Sequence, residues 1–320
     1  MRWWYQLKQT LGFPSYIPLE VRTFQSPESF PLWHKGHAQK LSSLAQEHPE
    51  AWATFERLGI IPYLESLPPL PETMIREILW RWWQLAHMLP YSLPLWHHMK
   101  PVSTTASLLE VGVKDWAVLP AMAGALHWLQ HQQNTNTPIC LHGVELAPWQ
   151  LTMTQEGLIS RYEKAQYTQQ ILSRYPSLLR SSHPLSTRYI PESLQTWQIQ
   201  SRQHYNLLAV FLPFVQLETH QAWGLSAQSY QPLSFWESLF RCASQEHPTL
   251  LWVSHQGQWE ADSFDTWYEA HHDAFPKNFS LTWLHTQEVI PHWVPLRYPH
   301  ILRVGKLQAG VLATHPDSLD

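Results

Sequence analysis

Two carboxylates and one glycine mark where this 320-residue chain could do chemistry. Leu108, Leu109 and Val111 make a short apolar run with Glu110 at its end, and Gly112 follows at once. Such a run reads as a strand covered on both faces of a parallel sheet. An apolar, helix-like stretch then runs from Ala117 to Gln130. Strand, acid, glycine turn and helix is how a doubly wound sheet opens, and the turn after its first strand is where such sheets bind nucleotides. A second buried run, Ile139 to Leu146, carries Glu145 near its end. The plainer role for both carboxylates is capping the N-terminus of the next helix, where the macrodipole favours negative charge.

Other reactive pairings are weaker. His34 with His37, His127 with His131, and the run His271, His272, Asp273 have spacings a metal would accept on a helix. Among 20 histidines such pairs arise by chance, and no cysteine joins them, so no metal site is expected. Ser254 and His255 follow a strand, yet there is no Gly-x-Ser-x-Gly elbow around them. No phosphate-binding Walker loop is present.

The elements that must position Glu110 and Glu145 alternate from residue 107 onward. Further strands are expected at Asn206–Val215 and Thr249–His255, with a short one at Thr187–Ile190 ended by Pro191 and Glu192. Helices are expected at Tyr162–Tyr175, Ser234–Ser244 and Trp259–Phe275. Strands alternating with helices signal a parallel sheet with crossover connections. After Phe275 the alternation stops: Phe279–His285 and His300–Val304 are two strands without a long helix between them.

The first 104 residues differ. Four prolines (Pro14, Pro18, Pro27, Pro31) break up their start, and helical periodicity then marks about Leu32–Gln46, Glu50–Leu67 and Glu72–Met88. In the last, Met74, Ile78, Leu79, Trp82, Leu85 and Met88 form one apolar stripe, closed by Pro90. That stripe, with its tryptophans, is expected to pack on the sheet rather than face solvent. The chain therefore divides into a helical extension (1–104), a sheet domain (105–306) and a polar tail (307–320).

Composition limits the function classes. Net charge is −4 with pI about 6.6, which offers no basic footprint for nucleic acid. No run approaches eighteen uninterrupted apolar residues, and the N-terminus lacks a signal-peptide pattern, so a cytoplasmic protein away from the membrane is expected. Cys140 and Cys242 make no disulfide framework and read as small buried hydrophobes.

The order Leu-Glu-Val-Gly at 109–112, Gly-Val-Glu-Leu at 143–146, then the 206–215 strand with Leu212-Pro213-Phe214, resembles the class I S-adenosylmethionine-dependent methyltransferases. The antiparallel ending fits as well, because that family closes its sheet with such a hairpin. The resemblance covers roughly residues 105–306. It implies an α/β, doubly wound, mostly parallel seven-stranded sheet, here with an N-terminal helical extension. It also implies S-adenosylmethionine as cofactor. Glu110 would face the methionyl amino group, and Gly112 would admit the cofactor close to the backbone. Glu145, with Leu146 beside it, would take the two ribose hydroxyls, while Glu192 would reach toward the adenine amine. Phe211, Leu212, Pro213 and Phe214 would line the sulfonium and its methyl.

The match departs from the family at the glycine loop. Val113, Lys114, Asp115 and Trp116 stand where further glycines are usual. Either the loop is wider and still binds, or Trp116 fills the pocket. Leu212 cannot accept a hydrogen bond from a target amine, which argues against nitrogen methylation of bases or glutamine. The resemblance implies a methyltransferase-like enzyme acting on a small molecule. The alternative is an inactive domain of the same fold serving as a scaffold, and a dinucleotide-dependent enzyme is a third reading. Oligomeric state is not legible.

Overall fold

The computed structural model describes residues 46–65, 72–99, 105–112, 119–135, 137–145, 151–154, 157–160, 185–211, 217–218, 227, 230–275, 279–289 and 299–309. Within them β1 (Ala106–Val111), β2 (Ile139–Glu145), β5 (Leu185–Ser193), β6 (Leu207–Phe211), β7 (Thr249–His255), β8 (Phe279–Val289) and β9 (His300–Ala309) form one sheet. Its order is β5-β2-β1-β6-β7-β9-β8. The four pairings from β5 to β7 are parallel, whereas β9 runs antiparallel to both β7 and β8. The sheet is thus mixed, with one reversed strand inserted next to the edge. This order and this single reversal are those of the methyltransferase variant of the Rossmann-like fold, and the reversal follows from the break in alternation after Phe275.

β1, β6 and β7 are buried along their whole length. Apolar runs without alternation are what a sheet covered on both faces requires. One face carries α1 (Pro49–Leu58), α2 (Ile61–Glu65), α3 (Glu72–His98) and α4 (Leu119–Gln132), packed on Leu108, Leu141, Ala209, Trp252 and Leu302. The other carries α5 (Leu194–Ser201), α6 (Pro232–Arg241) and α7 (Gln258–His271), packed on Leu109, Val111, Val210 and Val253. The helices before the sheet domain share its core: Trp82 and Leu85 are both fully buried within the same apolar cluster as β1 and β6.

Several expectations need correction. The periodic stretch from Glu50 is two helices, because Gly59 adopts φ 69 and ends α1, with its own N–H and that of Ile60 returning to Glu56 and Phe55. Pro90 does not close α3, which continues through Pro90 and Pro94 to His98. A proline inside a helix costs about 3 kcal/mol, and here packing outweighs that cost. Leu89 and Trp96 are buried in the core, and Ser92 Oγ donates to the Met88 carbonyl at 2.8 Å while accepting from Trp252 Nε1 at 2.7 Å. The short strand ended by Pro191 is longer, since β5 runs through Pro191 and Glu192 to Ser193. β5 is the sheet's edge, where a residue without an N–H is tolerated. The final strands also extend further, and the tail boundary at 307 is misplaced: β9 includes Leu307, which is fully buried.

A separate antiparallel hairpin, β3 (Leu151–Thr154) with β4 (Gly157–Ser160), was not anticipated. Cys242 caps α6 rather than lying in it, and burial pushes its thiol up to about 12. Of the helix expected at Leu32–Gln46 only Gln46 falls within the described residues, where it is helical, and the helix expected at Tyr162–Tyr175 lies outside them.

Candidate functional site

The carboxyl ends of β1, β2 and β6 lie side by side, and β1 is the strand at which the sheet's winding reverses. Doubly wound sheets bind ligands in the crevice at this position. Glu110 pairs in register with Gly143 on β2 and Ala209 on β6. Residues directly opposite share a face, so the carboxylate sits between two small neighbours on the side that carries α3. The resulting trough is filled from α3. Arg81 Nη1 lies 3.0 Å from Glu110 Oε1, and its guanidinium carbon lies 3.2 Å from the centre of the Phe211 ring.

Glu110 is fully buried and Arg81 and Phe211 nearly so. Burial pushes the Glu110 carboxyl above its ordinary range, and the Arg81 charge opposes that shift. The contact is an ion pair rather than an aligned hydrogen bond, because neither Glu110 oxygen meets hydrogen-bond geometry with any partner. A buried carboxylate so placed retains acceptor capacity toward an N–H donor.

Gly112 has φ 83, the left-handed region that favours glycine, and its N–H donates to the Val144 carbonyl at 3.0 Å. This turn draws the end of β1 against the end of β2. On β2 the ladder to β5 slips between Val144 and Glu145, so that Glu145 pairs with Ser193. Of the other expected site residues, Asp115, Trp116, Leu146, Leu212, Pro213 and Phe214 lie outside the described residues, as do the side chains of Glu145 and Glu192.

Arg81 was not anticipated as a site residue. Its signal is legible in retrospect: a cation three residues after Ile78 and four before Leu85 falls within the apolar stripe of α3. A second polar cluster fixes α3 beside the crevice. Gln84 Nε2 donates to Ser254 Oγ at 3.0 Å, Ser254 Oγ lies 3.0 Å from His300 Nδ1, and the Trp80 ring meets His300 edge-on. Ser254 and His255 are not brought together: alternation along β7 places them on opposite faces. His255 is fully buried, with neither ring nitrogen hydrogen-bonded, and burial holds it neutral by lowering its pKa well below the ordinary value.

Of the histidine groupings, His34 and His37 lie outside the described residues. His127 meets the Tyr63 hydroxyl at 3.0 Å, His271 Nδ1 lies 2.8 Å from the Trp267 carbonyl, His272 Nε2 lies 3.1 Å from Asp273 Oδ1, and no group of three or more residues able to hold a metal occurs among the described residues. No described helix is long and apolar enough to cross a membrane.

No family model matches the sequence, and no curated protein matches it. Solved structures are similar at low identity. One is a Listeria monocytogenes protein assigned to the class I S-adenosylmethionine-dependent methyltransferases (10% identity, TM-score 0.40, 73% of this chain and 62% of that one). A second is the plantazolicin methyltransferase BpumL in complex with S-adenosylhomocysteine (9% identity, TM-score 0.37, 96% of both chains). A third is an rRNA methylase from Streptococcus thermophilus (8% identity, TM-score 0.34, 71% of this chain and 96% of that one). These scores are low, and the fold assignment rests on the order and direction of the strands.

Proposed function

We propose that this chain binds S-adenosylmethionine at the carboxyl ends of β1 and β2 and works as a methyltransferase-like enzyme. One observation carries the reading: Glu110 and the left-handed turn at Gly112 stand together at the winding reversal of a sheet with this strand order. The chain's own groups fit the cofactor. Glu110 offers a buried carboxylate with unused acceptor capacity to an ammonium group. Gly112 presents backbone without a Cβ where a ligand must approach closely. Glu145 takes the ribose hydroxyls, and Phe211 with Leu212, Pro213 and Phe214 borders the sulfonium.

When bound, the cofactor supplies an electrophilic methyl group. The chain's contribution is then positioning and exclusion of water, which together account for much of the acceleration in reactions of this kind. The substrate is a small molecule in this reading; a net charge of −4 supports that choice over a nucleic-acid backbone.

The test is calorimetric titration with S-adenosylmethionine and S-adenosylhomocysteine, followed by Glu145→Ala and Gly112→Val. Glu145→Ala removes charge-assisted hydrogen bonds worth about 1.5–3 kcal/mol each. Binding of S-adenosylhomocysteine then weakens by at least about tenfold, and Gly112→Val abolishes it while circular dichroism stays unchanged. Tight binding that ignores Glu145→Ala overturns the assignment of the ribose contact.

A further inference from the structure

We propose that Arg81 is an internal counter-ion occupying the crevice, and that it sets how this chain discriminates a sulfonium ligand from its neutral thioether product. The inference rests on the S-adenosyl reading above and adds to it a residue outside the sheet domain.

A ligand carrying an ammonium and a sulfonium needs a carboxylate for the first and an aromatic face for the second. The described crevice offers one of each, Glu110 and Phe211, and Arg81 already engages both, at 3.0 Å and 3.2 Å. A guanidinium suits this double task because it is planar, permanently charged and able to stack on a ring while facing a carboxylate. Glu110 is fully enclosed, so an incoming ammonium reaches it only if Arg81 yields. Trp82 and the Gln84–Ser254–His300 cluster fix α3 nearby, so Arg81 yields by turning about its own side-chain bonds while its backbone stays in place. Arg81 therefore stays close to the bound ligand after being displaced from its first position. A fixed positive charge beside the crevice repels a sulfonium and is indifferent to a thioether. The charge thus selects against the loaded cofactor and in favour of its demethylated form.

The experiment compares dissociation constants for S-adenosylmethionine and S-adenosylhomocysteine in the full chain and in Arg81→Met, which keeps an unbranched apolar stem and removes the charge. The expected result is that Arg81→Met tightens S-adenosylmethionine by at least about tenfold and S-adenosylhomocysteine by less, moving their ratio at least about threefold toward the sulfonium. Arg81→Met leaves Glu110 without its partner and can unfold the chain. The double variant Arg81→Met/Glu110→Gln removes that cost, and the same shift in ratio is expected in it.

Binding gained by Arg81→Met where the unmutated chain shows none also supports the proposal. If the unmutated chain binds, and the variants bind more weakly or with an unchanged ratio, Arg81 holds the ligand's carboxylate instead; the proposal is overturned while the cofactor reading stands. Absence of binding in the unmutated chain and in both variants overturns both.

Discussion

The buried imidazole of His142 makes the chain acid-sensitive by an amount the structure allows to be worked out. His142 lies on β2, its Nδ1 is 2.7 Å from the Tyr205 hydroxyl, and Trp197 Nε1 donates to that hydroxyl at 3.0 Å. An indole nitrogen only donates, so the Tyr205 oxygen accepts from Trp197; the buried phenol then gives its own proton to Nδ1, because donation by Nδ1 instead would leave that proton without an acceptor. His142 is therefore neutral with its proton on Nε2, which points at Cys140 Sγ at 3.4 Å. Burial, reinforced by the Arg188 charge, pushes its pKa down from 6.5 to about 4. A histidine whose folded pKa is depressed binds more protons unfolded than folded between these two values. Its contribution to stability is complete above pH 6.5 and is lost as pH falls toward 4. At about 1.4 kcal/mol per pH unit the loss amounts to about 3 kcal/mol. The assay is urea denaturation of the unmutated chain and of His142→Gln at pH 7, 6, 5 and 4. Other groups, His255 among them, titrate equally in both proteins, so the difference between the two isolates His142. That difference should shrink by about 3 kcal/mol from pH 7 to pH 4. A difference that stays constant across this range refutes the assignment of a neutral, hydrogen-bonded imidazole.

Gly124 on α4 has no room for a methyl group, because a Cβ there would lie 2.6 Å from Cζ2 of the fully buried Trp82. Replacing a helical glycine by alanine ordinarily gains about 1 kcal/mol, but overpacking costs about 1–3 kcal/mol; Gly124→Ala should lower the urea midpoint, and a raised midpoint would show that α3 packs less tightly on α4. Ser92→Ala leaves the buried indole N–H of Trp252 without its acceptor and should cost about 1–3 kcal/mol by the same measurement. Expressing residues 105–320 alone uncovers the sheet face that α1–α3 occupy and should yield an aggregating product that binds anilinonaphthalene sulfonate; a soluble product with unchanged thermal stability would contradict the shared core.

What the sequence made legible was whatever depends on burial alone. β1, β2, β6 and β7 are apolar because both their faces are covered, and that pattern survives without knowledge of neighbours. The pairing of β8 with β9 was legible because the alternation of strand and helix stops after Phe275. β5 was harder, since an edge strand exposes Ser186 and Arg188 and tolerates Pro191. α3 beyond Pro90 was misread for a different reason: local preference ends the helix there, and only contacts with β7 and β9 show why it continues. Glu110 and Gly112 were identified from their order along the chain. Arg81 was not, because a lone cation in an apolar stripe shows its purpose only once Gly143 and Ala209 are seen to leave space beside Glu110.

The two borders of the sheet among the described residues, β5 and β8, bear on the company this protein keeps. β8 presents eleven residues of outer strand, long enough to template pairing with another molecule. Its ladder to β9 slips between Trp283 and His285, which splits the strand into 279–283 and 285–289. At the opposite border β5 lacks an amide hydrogen at Pro191 and slips against β2 at Glu145. Neither border is straight for more than a few residues, so a second copy that adds itself to one end of the sheet loses registry almost as soon as it gains it. Fibrous growth through these margins is thereby discouraged by the same kinks that shape the strand ends.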